Sequence, residues 1–423
     1  MNIRSNINQI LHSHNFRHGM LYTIFSFLNS GISFLLILLL AKYLTPTDYG
    51  SLTLFNTFVT LLNVVIALCT TAYITVSFFQ KSHQELQKVI LVAFATTTVM
   101  LIITALSFIL FPHFVEKTVG VPIEYLWLGL LICYFGIFNS VNLDIWRLEE
   151  KPVTYGVYSV TFAVCNFILS FWIIVGLKFG WQGRVYAWFI LGVIYFVVSL
   201  IFLVKRRYLV ISSLSFKLFK ETYAYALPLL PHTTSFWLKQ GLDSYIINYI
   251  HGQGTVGYYS FAMNLAAIIG VVGTAFNATN SVYIFKRLTE GYEKVKIVLL
   301  KQTKLMTIAF FGVSCSVAIF AFCLTCFLIP SYKGSIQYLI PLCLAGFFQC
   351  IYLLWVNYLF YYKKTKQLMH ITLSTAVLQV ILSVWLTPYS ALNTAIISMV
   401  INALTMLLVK YKSKKTLAMN YNT

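Results

Sequence analysis

Long apolar runs separated by short polar connections recur along the whole chain. They lie near residues 20–41, 52–79, 89–111, 125–143, 155–177, 186–204, 223–250, 256–284, 305–329, 336–362, 369–387 and 391–409. A helix crossing the hydrocarbon core needs roughly 20 mostly apolar residues, so the pattern predicts an all-α polytopic membrane protein with about twelve transmembrane helices. The first run follows a polar stretch with Arg4 and Arg17 and has no small-residue cleavage site, which reads as a retained helix rather than a signal peptide.

A weak internal repeat divides the chain. Lys42 to Gly50 (K-Y-L-T-P-T-D-Y-G) and Asn248 to Tyr259 (N-Y-I-H-G-Q-G-T-V-G-Y-Y) are both short polar turns that lead through Gly into an apolar run, and Gly50 and Gly257 are 207 residues apart. The links at Trp146 to Pro152 and Tyr361 to Gln367 correspond at an offset of 216, from Arg147 to Lys363. Because each half would hold an even number of spans, the halves are expected to be parallel repeats about an axis along the membrane normal. The expected organisation is a six-helix lobe over 1–204, a basic connector over 205–222 and a second six-helix lobe over 223–423.

Composition agrees with the spans. Of 423 residues, 59% are hydrophobic and 10% charged, against about 25% charged in a soluble domain. A net charge of +19 could suit nucleic acid. The basic residues, however, sit in short clusters between apolar runs, as topology signals do, so no nucleic-acid partner is expected. With the N-terminus inside, the outer turns hold only Lys42, Lys117, Lys178, Arg184 and Lys333, and one span holds Lys239; the rest of the 30 Lys and Arg lie in inner connections and tails. That asymmetry places both termini in the cytoplasm. All eight cysteines fall in apolar runs, where a thiol behaves as a small hydrophobe, and the lone C-x-x-C of Cys323 and Cys326 lacks a second pair or a His, so no disulfide or metal is expected.

Four segments carry a resemblance: Ala41 to Gly50 (A-K-Y-L-T-P-T-D-Y-G), Pro228 to Pro231 (P-L-L-P) with Leu242 and Asp243, Val256 to Tyr259 (V-G-Y-Y), and Arg147 to Tyr155 (R-L-E-E-K-P-V-T-Y). With the span plan, the chain resembles the polysaccharide transport family of the multidrug/oligosaccharidyl-lipid/polysaccharide exporters, O-antigen flippases in particular. The family often has Arg where this chain has Lys42. The resemblance implies a V-shaped, two-lobed transporter in the bacterial inner membrane. It would pass an undecaprenyl-pyrophosphate-linked oligosaccharide, an O-antigen or similar surface-polysaccharide unit of lipopolysaccharide biosynthesis, from the inner to the outer leaflet. It also implies membrane lipids, a polysaccharide polymerase and a chain-length regulator as partners, and no cofactor beyond a coupling proton or sodium ion.

A charge inside a span costs roughly 2.5–3.5 kcal/mol on insertion scales, so those that persist face a cavity or a partner. On the expected seventh span His232, Ser235, Lys239 and Asp243 fall at i, i+3, i+7 and i+11 along one face. Lys239 and Asp243 could pair, or could serve a cavity. Tyr22, Ser26, Asn29 and Ser33 form a stripe on span one; Asn56, Thr60 and Asn63 form another on span two, and Asn264 adds a polar point on span eight. The economical expectation is one hydrated cleft; helix-to-helix bonding by single Asn residues is the plainer alternative, at about 0.6 kcal/mol per bond. A pyrophosphate head calls for cations, and Lys239, Arg17 and Arg147 are the candidates, with ordinary snorkelling anchors at the membrane surface as the plainer reading of Arg17 and Arg147. Pro228 and Pro231 could kink span seven, either as a hinge for rocking or as a static bend.

No G-x-x-x-x-G-K-[ST] occurs, which excludes a Walker-type ATPase in this chain. An enzyme is not expected. A polytopic glycosyltransferase, polymerase or ligase should carry acids and bases in a substantial outer loop, whereas the outer turns are short and hold only Asp48, Glu116 and Glu124 as acids. A cation-coupled drug exporter with the same span plan is the other alternative.

Overall fold

The computed structural model describes residues 14–210 and 216–419, and its elements are helical throughout these. In chain order they are α1 (His14–Tyr43), α2 (Pro46–Ala67), α3 (Thr71–Gln80), α4 (His83–Leu110), α5 (Pro112–Val119), α6 (Ile123–Leu148), α7 (Pro152–Phe171) and α8 (Trp181–Lys205). After them come α9 (Phe216–Ala226), α10 (Leu230–Gln240), α11 (Leu242–His251), α12 (Gln253–Leu288), α13 (Tyr292–Cys323), α14 (Ile336–Tyr361), α15 (Thr365–Leu386) and α16 (Leu392–Met419). Among the described residues eleven stretches are long and apolar enough to span a bilayer, and each overlaps one of the expected runs.

The twelfth expected run, 223–250, is not one helix. It is the end of α9, a tight turn at Leu227–Leu229, α10, and α11 beyond Gly241. Pro228 and Pro231 account for the first break, because neither can donate a backbone hydrogen bond; both are tolerated only in first turns, where no such bond is needed. The expected hinge prolines thus separate two helices rather than kink one. The run 52–79 is also divided. Leu68 and Cys69 take positive φ of 45° and 57°, and Thr70 caps the end of α2 by donating Nα and Oγ1 to the Ala67 carbonyl. Lys294, Lys296, Lys301 and Lys304, expected in a connection, ride on the first turns of α13. Residues 211–215 of the expected connector lie outside the described residues.

Packing divides the chain into two compact units, Met1–Leu44 with Leu54–Thr233, and Thr45–Thr53 with Thr234–Thr423. In the first unit α4, α6 and α8 share an aromatic core: Phe94 stacks on Phe138 with centroids 3.9 Å apart, and Phe196 closes on Phe138 and Phe135. The link after α6 is clamped to the end of α8. Glu149 accepts from Arg206, from Tyr208 Oη at 2.5 Å and from Lys151 at 3.0 Å. Burial alone would raise the Glu149 carboxyl, but the hydrogen bonds from Tyr208 and Lys151 and the Arg206 charge together hold it below the ordinary carboxylate value. The amphipathic α9 is tied down through Glu221, which accepts from Lys81 Nζ at 2.7 Å and from Tyr73 Oη.

In the second unit α14 is the central helix, packed against α12 and α16. Small and polar residues let these helices approach, as they do inside membranes: Cys350 donates to the Ile269 carbonyl beside Gly273, Asn357 to Asn277 at 2.8 Å, and Ser413 to the Trp355 carbonyl at 2.9 Å. This unit also holds the first turns of α2. Thr45 and Asp48 form a reciprocal cap: Thr45 Oγ1 accepts from the Asp48 amide and donates to Asp48 Oδ2, with Pro46 at the first helical position. Here α2 crosses the start of α12 so closely that a Cβ on Gly50 would overlap the Gln253 carbonyl and one on Gly257 the Pro46 carbonyl. The contact is reciprocal at the repeat offset, since Pro46 corresponds to Gln253 and Gly50 to Gly257. Ser51 donating to Gln253 Oε1 at 3.0 Å and Tyr49, enclosed by Phe261 and Tyr332, seal it.

Candidate functional site

The second unit contains a buried polar seam where α10 and α11 lie along α15. On α15, Thr375, Gln379 and Ser383 repeat every fourth residue, and Thr387 follows at its end; all four are at most 2% exposed. Against them stand the two charges of the broken helix. Asp243 is 2% exposed, and its carboxylate accepts from Gln379 Nε2 at 2.9 Å through Oδ2 and from Ser383 Oγ at 2.8 Å through Oδ1. Lys239 is half-buried and donates to Thr375 Oγ1 at 3.1 Å. Gln379 Nε2 also donates to the Lys239 carbonyl at 2.9 Å, occupying an acceptor near the C-terminal end of α10, ahead of Gly241. At the far end of the seam His251 Nε2 meets the Thr387 carbonyl at 2.7 Å, and Thr387 meets Thr394 at 2.9 Å.

Lys239 and Asp243 therefore do not neutralise each other: no ion pair joins them among the described residues. Gly241 ends the common helix between them, and each turns to its own neutral partner on α15. A buried carboxylate held only by neutral donors is costly in apolar surroundings, and it is the arrangement in which a proton or a hard cation can bind and leave.

The remaining candidates are dispersed. Asn29 donates to Ser159 Oγ at 3.1 Å and Tyr22 packs edge-on to Tyr155, so these two bind α1 to α7, while Ser26 and Ser33 are exposed. Asn63 is exposed and caps its own Val59 carbonyl, and Asn56 and Thr60 are exposed on the same face of α2. Asn264 donates to Tyr49 Oη at 2.8 Å and so supports the helix crossing. Arg147 is exposed and paired with Asp144 at 2.7 Å. The side chains of Arg17 and His232 lie outside the described residues. Thr375, Gln379 and Ser383 were not singled out from the sequence, although their four-residue spacing inside the apolar run 369–387 is the signature of a polar seam.

Comparison with known proteins agrees with this architecture. The sequence profile of the polysaccharide biosynthesis protein family matches residues 16–282, more than half of the chain. A protein of the Lsg locus of Haemophilus influenzae is 24% identical over 83% of this chain and 86% of its own length; an uncharacterised membrane protein of the same organism is 26% identical over 80% and 81%. Among solved structures, the inward-facing form of a multidrug resistance MATE family transporter of the MOP superfamily superimposes with a TM-score of 0.77 at 16% identity, covering 95% of each chain. The lipid II flippase MurJ superimposes with a TM-score of 0.71 at 14% identity, covering 93% of this chain and 87% of that one. At such identities these two structures establish a shared fold.

Proposed function

The chain belongs to the polysaccharide biosynthesis protein family, and we propose that it is a flippase, translocating an undecaprenyl-pyrophosphate-linked oligosaccharide from the inner to the outer leaflet of the bacterial inner membrane by alternating access. The observation that carries this reading is the Lys239–Asp243 seam, read together with the family. A membrane protein that keeps a cation on Thr375 and an acid on Gln379 and Ser383, unpaired with each other, bears an insertion cost that transport would justify. In this reading Lys239 attracts the pyrophosphate, and Asp243 loads and releases the coupling proton or sodium ion with Gln379 and Ser383 as companions. Both termini lie in the cytoplasm, and the polysaccharide polymerase and chain-length regulator that consume the flipped unit are its partners.

The test is transport by the purified full chain in proteoliposomes. Lipid-linked oligosaccharide should become accessible to a lectin added outside, with stimulation by a proton or sodium gradient, and the gene should restore surface polysaccharide in a flippase-null strain. Lys239→Ala should accumulate in the membrane yet fail to restore it; full restoration would remove Lys239 from the path. The likeness to the MATE family structure favours a second reading, a cation-coupled drug exporter. Gradient-driven efflux of cationic dyes, with no movement of lipid-linked sugar, would establish that instead.

A further inference from the structure

The first unit also holds a cation without an acid. Arg184 lies in the first turn of α8, about 30 Å along the helix from Lys205, and so at the end of the unit away from the Glu149–Arg206 clamp. Its Nη1 donates to Asn166 Oδ1 at 2.5 Å and to Ser170 Oγ at 3.3 Å. Both partners are buried on α7, Asn166 at 8% exposure and Ser170 at 0%. The guanidinium stands 5.5 Å from the ring centroid of Trp188, which itself meets Phe55 edge-on. Every bond to the guanidinium leaves from Nη1, so Nε and Nη2 have no protein acceptor, and no carboxylate pairs with Arg184, among the described residues. Charge balancing would have placed an Asp or Glu here; the chain instead offers an amide, a hydroxyl and an aromatic face. Those groups hold a guanidinium in place without neutralising it, and its free edge is the planar fork that matches phosphate oxygens.

We propose that Arg184, oriented by Asn166 and Ser170 against Trp188, is a binding subsite for a phosphate-ester anion. This rests on the flippase reading for its occupant: with both termini cytoplasmic, Arg184 lies at the outer-leaflet end, where it receives the pyrophosphate of the translocated lipid before release. The same chemistry would accept the phosphate of a bilayer lipid, so the measurement separates the two sources.

Binding of geranylgeranyl diphosphate to the full chain is measured in nanodiscs of phosphatidylcholine, and again with phosphatidylglycerol replacing part of that lipid. Arg184→Gln should weaken diphosphate binding at least tenfold in protein that still accumulates folded in the membrane, and Arg184→Lys, which keeps the charge but not the planar fork, should recover only part of that loss. Asn166→Asp should place the missing carboxylate beside Arg184 and abolish the same share of binding while leaving the fold intact, so the inference remains testable if Arg184→Gln does not accumulate. Phosphatidylglycerol competing with the probe in the parent but not in Arg184→Gln would identify the bilayer lipid as occupant and keep the anion subsite. Parent-like diphosphate binding by folded Arg184→Gln or Asn166→Asp overturns the proposal, as does a parent that binds neither anion. Arg184-dependent diphosphate binding in a protein that moves no lipid-linked sugar would leave the subsite standing and remove the flippase reading. Normal flipping by a protein with Arg184-independent binding would do the reverse.

Discussion

Asp243 is held by an amide and a hydroxyl, and the strength of those bonds can be measured. Ser383→Ala deletes a buried donor to a charged acceptor, which should cost about 1.5–3 kcal/mol of stability. A double-mutant cycle of Asp243→Asn with Ser383→Ala should show coupling of roughly 1 kcal/mol or more, whereas Asp243→Asn with Lys239→Gln should couple more weakly, because those two side chains share no bond with each other. Thermal unfolding in detergent gives both numbers, and strong coupling in the second cycle would restore the ion pair. In transport, Asp243→Asn should still bind lipid-linked sugar and lose its response to the gradient; gradient-stimulated flipping at the parent rate would exclude Asp243 as the coupling acid. Glu149 makes a pH-dependent prediction outside the spans. Its carboxyl is held below the ordinary value of 4.5, so its contribution to stability is complete above that pH and is lost as the pH falls through the lower folded value. Glu149→Gln should therefore be less stable than the parent at pH 7, and the difference should shrink on acidification; a difference that grows would show the sign to be wrong.

Gly50 and Gly257 bear on the helices as elements, since α2 and α12 can cross at this distance only where neither carries a Cβ toward the other. Gly50→Ala or Gly257→Ala forces the backbones apart, and overpacking of this kind typically costs about 1–3 kcal/mol or more. Each should lower the melting temperature and the amount of folded protein far more than Ser51→Ala, which deletes one hydrogen bond worth about 1 kcal/mol. Equal stability of all three variants would show that the crossing can relax. At this scale most of the fold is legible in the sequence, because length and apolarity determine where a helix can cross lipid: ten of the twelve runs fall on single long helices. The two misplaced runs follow from backbone events that hydropathy does not register. Pro228, Pro231 and Gly241 interrupt an apolar stretch without making it less apolar, and Leu68 and Cys69 adopt positive φ with no glycine to announce it. The charged members of the seam, Lys239 and Asp243, stood out as ions in apolar surroundings. Thr375, Gln379 and Ser383 did not, because neutral polar residues are common in such helices and which of them faces an ion depends on packing.

For the whole molecule, the exposed polar face of α2 makes the most direct prediction. Asn56, Thr60 and Asn63 lie at i, i+4 and i+7 on a helix whose opposite side, including Leu54, Phe55, Phe58, Val59 and Leu62, is buried in the first unit. An exposed row of amides and a hydroxyl in so apolar a span would be unfavourable against lipid, where exposed positions elsewhere are Val99, Ile102, Ile103, Leu106 and Ile109 on α4. The row should therefore line the aqueous path of transport. In a cysteine-free background, Asn56→Cys, Thr60→Cys and Asn63→Cys should react with a membrane-impermeant thiol reagent, while Ile102→Cys and Leu106→Cys on α4, and the buried Leu62→Cys, should not. If transport alternates access, the reactive positions should change their accessibility from one side of the membrane to the other with the coupling gradient, and lipid-linked oligosaccharide should protect them. Equal labelling on α2 and α4 would mean that exposure does not distinguish water from lipid here. No labelling on α2 would place its polar face against lipid or another protein and remove it from the path.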